Sequence, residues 1–262
     1  MRTIWSVFKF VFLDNLKSAW AIVYLLFYAL TAYALIYFTG SFNRSFASLM
    51  NVVILIAPLV STMMTSMYYF NKTDFIFLLL SQPVRRSDTF LGLYFGVAVT
   101  HSLAVGLGLG AGILFASPDA QDKTVLFLLI LSGVLLSFVF CSLALFISVM
   151  SRDKLKGIGM AMGSWLFLAV IYDALVLMYF IVFADYPIEE HAIVLTGMNP
   201  IDLARVFIML KLDDAALMGY SGAVFSKFFG SGAGSLISLL SMFVWIALPL
   251  LGLVWLGRKK DF

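Results

Sequence analysis

Charged side chains are scarce in this sequence. Asp, Glu, Lys and Arg make up 12% of its 262 residues while 63% are hydrophobic, whereas soluble domains average about 25% charged and about 45–50% apolar residues. A water-soluble core of this length has no room for so much apolar surface, so a soluble globular protein is excluded. The composition therefore indicates a chain that resides in lipid.

Residues suited to redox or metal chemistry are also few. Cys141 is the single cysteine, so no disulfide can form within the chain. Of the two histidines, His101 lies in a hydrophobic run and His191 does not, which argues against a haem anchor with two axial histidines in the membrane. The thirteen methionines form no tight cluster with ligand spacing and are expected to be packing residues. We therefore expect no metal site.

A nucleotide-binding motif is missing as well. The Gly-rich stretches 106–112 and 230–234 are not followed by the Lys and Ser or Thr of a phosphate-binding loop. This chain is therefore expected to have no ATPase activity, no catalytic residue and no cofactor of its own. Gly106 and Gly110, and likewise Gly108 and Gly112, have the spacing that lets membrane helices approach closely.

Six hydrophobic runs are each long enough to cross about 30 Å of hydrocarbon, which takes roughly 20 helical residues. Barrel strands would alternate over about 10 residues, and these runs are continuously apolar. The sequence therefore predicts an all-α integral membrane protein with one transmembrane domain, 1–262. The predicted spans are 19–39, 49–70, 91–116, 124–150, 157–183 and 236–257.

The basic residues predict the orientation. The segments that share a side with the N-terminus hold 12 of the 17 Lys and Arg residues, three in each segment. The positive-inside rule then places both termini in the cytoplasm, in a multi-pass protein of the bacterial inner membrane. The net charge of +3 reflects this topology, and no nucleic-acid binding is expected.

The first 18 residues have the pattern of an amphipathic helix lying in the headgroup plane. Their polar and apolar side chains separate at about 100° per residue. A plain cytoplasmic lead-in to the first span is the alternative. The polar face comprises Arg2, Ser6, Lys9 and Lys17, and the apolar residues are Ile4, Trp5, Phe8 and Phe12.

The loop 71–90 contains an apolar run, Phe75 to Leu80, that is too short to span the bilayer. Pro83 ends any helix at Gln82. An apolar helix, a breaker and a basic pair form a surface suited to a soluble partner, and a loop lying along the membrane is the alternative. We expect buried contacts from Phe75, Leu78 and Leu79, a polar rim of Asp74 and Arg86, and support from Pro83, Val84 and Arg85.

The segment 184–235 lies on the predicted outer side. Within it Asn199 is placed as a helix N-cap, Pro200 at the first helical position and Asp202 in the first turn. This helix should run to about Leu212 with Asp202 and Arg205 on one side. We predict one or two interfacial helices that close the outer end of the bundle or receive a periplasmic partner.

Two ionisable residues fall inside predicted spans, His101 in the third and Asp173 in the fifth. Such residues are costly in lipid, by roughly 2.5–3.5 kcal/mol for Asp, so each carries a functional hypothesis. Their expected heights differ by about 9 Å at ~1.5 Å per residue, which argues against a direct pair. The alternative for Asp173 is a wet cavity near the outer interface.

The loop residues carry a family resemblance. Leu79, Leu80, Pro83, Val84 and Arg86 match a Leu-Leu-x-x-Pro-Val-x-Arg pattern that resembles the cytoplasmic loop of ABC-2 type permeases. The family has an acidic residue and Gly-Thr upstream, and this chain departs from it with Asn-Lys-Thr-Asp at 71–74. The resemblance implies a type V exporter-like permease fold and a separate ATPase that contacts this loop.

The outer stretch 197–225 resembles the permeases of transporters that support nitrous oxide reductase maturation. The similarity lies in Asn199-Pro200-x-Asp202, Arg205 and the Gly-Tyr-Ser-Gly at 219–222. It implies a homodimer in membrane lipid, bound to two cytoplasmic ATPase subunits that hold ATP and Mg²⁺, and to a periplasmic β-helical copper-handling protein. The alternatives are an ABC-2 exporter of a lipid, drug or glycan, and a passive membrane anchor.

Overall fold

A computed structural model describes residues 2–39, 42–116, 123–183, 186, 189–209 and 232–259. These residues form eleven α-helices and one π-helical turn and include no strand, so the all-α fold class is confirmed. The helices are α1 (Arg2–Leu16), α2 (Ala19–Thr39), α3 (Phe42–Asn71), α4 (Thr73–Leu80), α5 (Arg86–Ala116), α6 (Lys123–Met150), α7 (Lys154–Leu166), α8 (Tyr172–Val182), α9 (Glu189–Gly197), α10 (Pro200–Met209) and α11 (Gly232–Lys259).

All six predicted spans correspond to helices that are long and apolar enough to cross a membrane. The second and third spans, Arg44–Asn71 and Arg86–Ala116, begin five residues before their predicted starts. The fifth span is composite, because the π-helical turn Phe167–Ile171 joins α7 to α8. The chain is thus a multi-pass membrane protein.

Helices α5 and α6 form the centre of the bundle, and 61% of the apolar window of each is buried. Helix α2 crosses α5 very closely, since a Cβ atom on Gly108 would lie 2.6 Å from the Leu25 carbonyl oxygen and one on Gly112 would collide with Ala29. Gly110 has nothing within 4 Å. Of the two predicted glycine pairs, Gly108 and Gly112 mark the close contact with α2, whereas a Cβ atom on Gly106 would be in ordinary contact with Ile130 and Val134 of α6.

Helix α1 confirms the predicted N-terminal helix and packs on the first turns of α5. Val7 and Val11 are buried, and their side chains lie where Cβ atoms on Gly92 and Gly96 would stand. Trp5 on another side of the helix is exposed. The helix is therefore docked on the third span through its valines.

Three spans are only slightly buried by the other helices of the bundle. Only 17% of the α2 window, 22% of the α11 window and 6% of the fifth-span window are buried. Apolar side chains in these helices face outward and need lipid or another protein chain as solvent.

Candidate functional site

The segments predicted to be cytoplasmic meet at one end of the bundle, here called the inner end. Lys72 Nζ lies 3.0 Å from Asp14 Oδ2, which also accepts a 3.1 Å hydrogen bond from the Tyr68 hydroxyl. Lys154 Nζ donates to Asn71 Oδ1 at 2.8 Å. These contacts join the end of α1, the α3–α4 joint and the start of α7.

Helix α4 is anchored to the inner end through one face. Ile76 is buried, and Leu79 and Leu80 pack partly against the apolar cluster around α5. The Phe75 ring stacks on Phe10 of α1 with centroids 4.7 Å apart. The helix ends at Leu80, with Ser81 N–H donating to Phe77 O at 3.0 Å, two residues before the predicted end at Gln82.

The opposite face of α4 is open. Phe77 and Leu78 are 42% and 58% exposed, and we call these two residues the coupling patch. Asp74 is exposed beside them. Of the three predicted contact residues Leu78 is exposed, whereas Phe75 and Leu79 are half-buried. Phe77 was missed because a continuous apolar run contains no periodicity that separates its two faces.

The basic pair stands where α5 begins. Arg85 O accepts from Asp88 N at 2.9 Å and from Thr89 N at 3.3 Å, so Arg85 caps the helix and Arg86 is its first residue. Cations are disfavoured by the positive end of a helix dipole, by about 0.3–1 kcal/mol each. Pro83 and Arg85 are exposed and Val84 is half-buried. Arg85 is therefore an exposed cation at an unfavourable helix end.

Helix α7 adds a further exposed residue to the inner end. Asp153 caps this helix by accepting from Leu155 N at 2.8 Å and from Lys156 N at 3.2 Å. Leu155 in the first turn is exposed. This cap was not predicted, although an Asp before a helix start is its ordinary signal.

At the opposite, outer end, Asn199 has the predicted capping role. Its Oδ1 accepts from Ile201 N at 3.0 Å, and Pro200 begins α10. The amide Nδ2 donates to Leu168 O at 2.9 Å and to Asp202 Oδ2 at 3.0 Å. The fully buried Asn199 therefore links the start of α10 to the fifth span. The predicted end near Leu212 lies outside the described residues.

Arg205 brings together residues that the sequence analysis treated separately. Its Nη1 donates to Asp173 Oδ2 and to Asp202 Oδ1, each at 3.0 Å. The three side chains border a cavity of about 250 Å³ between α8, α9 and α10 that Phe180 and Thr196 also line. Asp173 thus borders a cavity, which was the predicted alternative, and it also forms an ion pair with Arg205.

Burial shifts the titration of Asp202. Desolvation, followed by the nearby Asp173 carboxylate, raises the pKa of Asp202 to about 7, against opposing contributions from Arg205 and Asn199. Its side chain is 14% exposed. The two carboxyl groups share one guanidinium, and the raised pKa of Asp202 favours its protonated form.

The π-helical turn explains how the fifth span meets the outer helices. Tyr172 N–H, which an α-helix would direct to Leu168 O, donates instead to Phe167 O. Asn199 Nδ2 supplies a partner to Leu168 O, and the Tyr172 hydroxyl donates to Leu195 O at 2.6 Å. No residue pattern in this apolar stretch signals such a turn.

His101 lies elsewhere in the bundle and, as expected, does not pair with Asp173. It is buried in α5, with Nδ1 3.6 Å from Cys141 Sγ. The Cys141 sulfur also accepts from the Thr65 hydroxyl at 3.2 Å. The described part of the chain contains no group of three or more His, Cys, Asp and Glu side chains that could hold a metal ion.

Comparison with known proteins identifies two relatives of similar length, and no family model matches the chain. A protein of Pseudomonas aeruginosa described as "Probable ABC transporter permease protein NosY" is 24% identical over 236 aligned residues, which cover 84% of this chain and 86% of the relative. A protein of Stutzerimonas stutzeri with the same description is 24% identical over 278 aligned positions, 99% of each chain. The sequence similarity thus extends from end to end.

Proposed function

We propose that this chain, which is similar over most of its length to two ABC transporter permease proteins and has six helices able to cross the bacterial inner membrane, couples a separate cytoplasmic ATPase to events in the periplasm. The ATPase holds ATP and Mg²⁺, and this chain contributes no catalytic residue. The periplasmic event is maturation of the copper centres of nitrous oxide reductase. Both termini of the chain lie in the cytoplasm.

The observation that carries this proposal is the open face of α4. The coupling patch lies on a short helix that is joined to α3 through Lys72 alone and to α5 through residues 81–85. Buried Ile76 keeps the helix seated. A partner that grips the patch and moves it therefore shifts two spans at once, which biases a two-state bundle.

The complex contains two copies of this chain. The fifth span, only 6% buried, leaves enough uncovered apolar surface for contact with a second copy as well as lipid. On the outer side Asn199, Pro200, Asp202 and Arg205 start and stabilise α10, which receives a periplasmic β-helical copper-handling partner. The rest of this predicted outer segment, 210–231, lies outside the described residues.

Deletion of the gene tests the periplasmic role. The deletion strain should export nitrous oxide reductase without its catalytic copper-sulfide centre and should lose nitrous oxide respiration. Complementation with the wild-type chain should restore both, measured by the visible spectrum and activity of the purified reductase. A fully active reductase from the deletion strain contradicts the assignment and leaves an ABC-2 exporter of a lipid, drug or glycan.

Copurification tests the coupling role separately. The tagged wild-type chain, solubilised in mild detergent, should retain an ATPase subunit in equal amount. A passive membrane anchor would bring down no ATPase, so its absence contradicts coupling whatever the phenotype of the deletion strain.

A further inference from the structure

At the outer end of the bundle, two carboxyl groups, of Asp173 and Asp202, contact a single guanidinium, that of Arg205. Asp173 on α8 and Asp202 on α10 both accept from the same Nη1 atom of Arg205, each at 3.0 Å. Their accepting oxygens therefore lie at most about 6 Å apart, a separation at which two carboxylates disfavour each other's ionisation. One cation cannot neutralise both groups.

We propose that Asp173, Asp202 and Arg205 form a protonation-sensitive clamp, here called the outer clamp, between the fifth span and the outer helices. With Asp202 protonated, Arg205 and the Asp173 carboxylate form a neutral pair that closes the clamp. With Asp202 ionised, the cluster carries one excess negative charge, Asp202 competes for the guanidinium, and the link to α8 weakens. The ligand that operates the clamp is a proton.

The location of the clamp gives its opening a structural consequence. Arg205 and Asn199 are both on the α10 side. Asn199 Nδ2 donates to Leu168 O within the π-helical turn, and Arg205 Nη1 donates to Asp173 Oδ2 two residues after the turn ends. A π-helical turn lacks one regular α-helical bond and so relies on outside partners. Weakening the ion pair therefore loosens the fifth span at the point where its own hydrogen bonding is incomplete.

In the part of the chain that the structure describes, Arg205 is the cation that contacts Asp202. Asp173 and Tyr172 approach from the fifth span, and Asn199 from the start of α10. One oxygen of Asp173, Oδ1, is itself buried without a hydrogen-bond partner. The other titratable or charged groups on the described elements packed against α10 are Arg44, Tyr68 and Tyr69 on α3, Lys123 and Cys141 on α6, Glu189, Glu190 and His191 on α9, and Arg258 and Lys259 at the far end of α11.

Burial decides the pH range in which the clamp responds. Desolvation by burial and the nearby Asp173 carboxylate raise the pKa of Asp202 to about 7, so its charge changes near neutral pH. The sensitive range is therefore near neutrality, which the periplasmic side of an inner membrane experiences as outside pH varies. The inference concerns the outer end alone and holds whether or not the proposed periplasmic partner is correct.

Infrared spectroscopy of the full-length protein in lipid nanodiscs tests the proton directly. We expect a protonated-carboxyl band that loses most of its intensity between pH 6 and pH 8, and its absence in Asp202→Asn. The matched control is Asp153→Asn, an exposed helix cap at the inner end, which should retain the band. Retention of the band in Asp202→Asn, or its absence from the wild type, overturns the proposal.

A nitroxide label on the fifth span tests the conformational consequence. Leu177→Cys places the label on α8 at the cavity rim, where the side chain is exposed, and the unsubstituted chain with its buried Cys141 is the labelling control. The label should become several-fold more mobile from pH 6 to pH 8 in the wild-type background. It should remain immobile at both pH values with Asp202→Asn, and mobile at both with Arg205→Gln. A pH response that persists in Asp202→Asn contradicts the clamp.

Discussion

Arg205 Nη1 and Asp173 Oδ2 lie 3.0 Å apart although the two residues are 32 positions apart in the chain. The pair supplies the intramembrane carboxylate with a cation from an outer helix that does not itself span the bilayer. It also explains why an Asp is tolerated in an otherwise apolar span, because charged groups in lipid persist when they are paired. Asp173 is therefore part of the junction between the bundle and its outer helices.

The thermal stability of the protein should depend on pH because of the raised pKa of Asp202. Its pKa is raised from 3.8 to about 7 in the folded protein, so stability from this group is fully present below about pH 4 and is lost as pH rises through about 7. We expect the thermal midpoint of the detergent-solubilised protein to fall between about pH 4 and about pH 7, and to fall less in Asp202→Asn. Exposed Asp74→Asn is the control, and an unchanged slope in Asp202→Asn contradicts the assignment.

The glycines of α5 should differ in their tolerance of side chains. Gly108→Val places atoms against the Leu25 carbonyl, whereas Gly110→Val meets open space. Overpacking costs about 1–3 kcal/mol or more, so Gly108→Val should lower the thermal midpoint and the yield of monodisperse protein. Equal behaviour of the two variants would show that α2 and α5 are not in close contact.

The coupling patch should govern ATPase retention. Replacing Phe77 and Leu78 together by Ser should release the ATPase during copurification, because truncating a buried interface anchor typically costs about 2 kcal/mol, roughly thirtyfold in affinity. Phe38→Ser with Phe115→Ser, exposed side chains at the outer end, is the matched control. If the Phe77–Leu78 variant still retains ATPase in equal amount, the ATPase binds another part of the inner end.

One further variant, Ile76→Ser, distinguishes docking from folding on α4. Ile76→Ser removes a buried contact and should lower the thermal stability of the whole subunit. The Phe77–Leu78 variant should leave that stability nearly unchanged, because both side chains are exposed. A large loss of stability in the Phe77–Leu78 variant means that the release of ATPase reports misfolding.

The topology prediction can be tested by cysteine accessibility in whole cells. Gln82→Cys at the inner end and His191→Cys at the outer end replace exposed residues. A membrane-impermeant thiol reagent added from the periplasm should label His191→Cys alone, because the basic segments are retained in the cytoplasm. Labelling of Gln82→Cys from outside reverses the orientation of the bundle.

Local chemistry explains which sequence predictions were confirmed. The six spans follow from runs of apolar residues, because the free energy of placing a helix in lipid is close to a sum over its own residues. The Asn199 cap and the Pro200 start were predicted because the groups involved are neighbours along the chain. Such features need no knowledge of distant contacts.

The covered and exposed sides of α4 could not be predicted from the sequence. Six consecutive apolar side chains indicate a helix that does not span, yet they do not indicate which of its sides is covered. Phe75 faces α1 and Phe77 is open only because of how α1 and α5 lie around the helix. The rotation of a helix about its axis is set by packing partners, and those come from other parts of the chain.

The amino-acid sequence by itself determined the lipid-embedded class, the number of spans, the non-spanning inner helix and the cap of α10. Tertiary structure alone decided that Gly108 rather than Gly110 meets α2, that Val7 and Val11 seat α1, and that Arg205 joins Asp173 to Asp202. The physical reason is that hydrophobic length and capping act between residues a few positions apart. Close approach and charge pairing instead depend on distances between helices, which only the packed bundle defines.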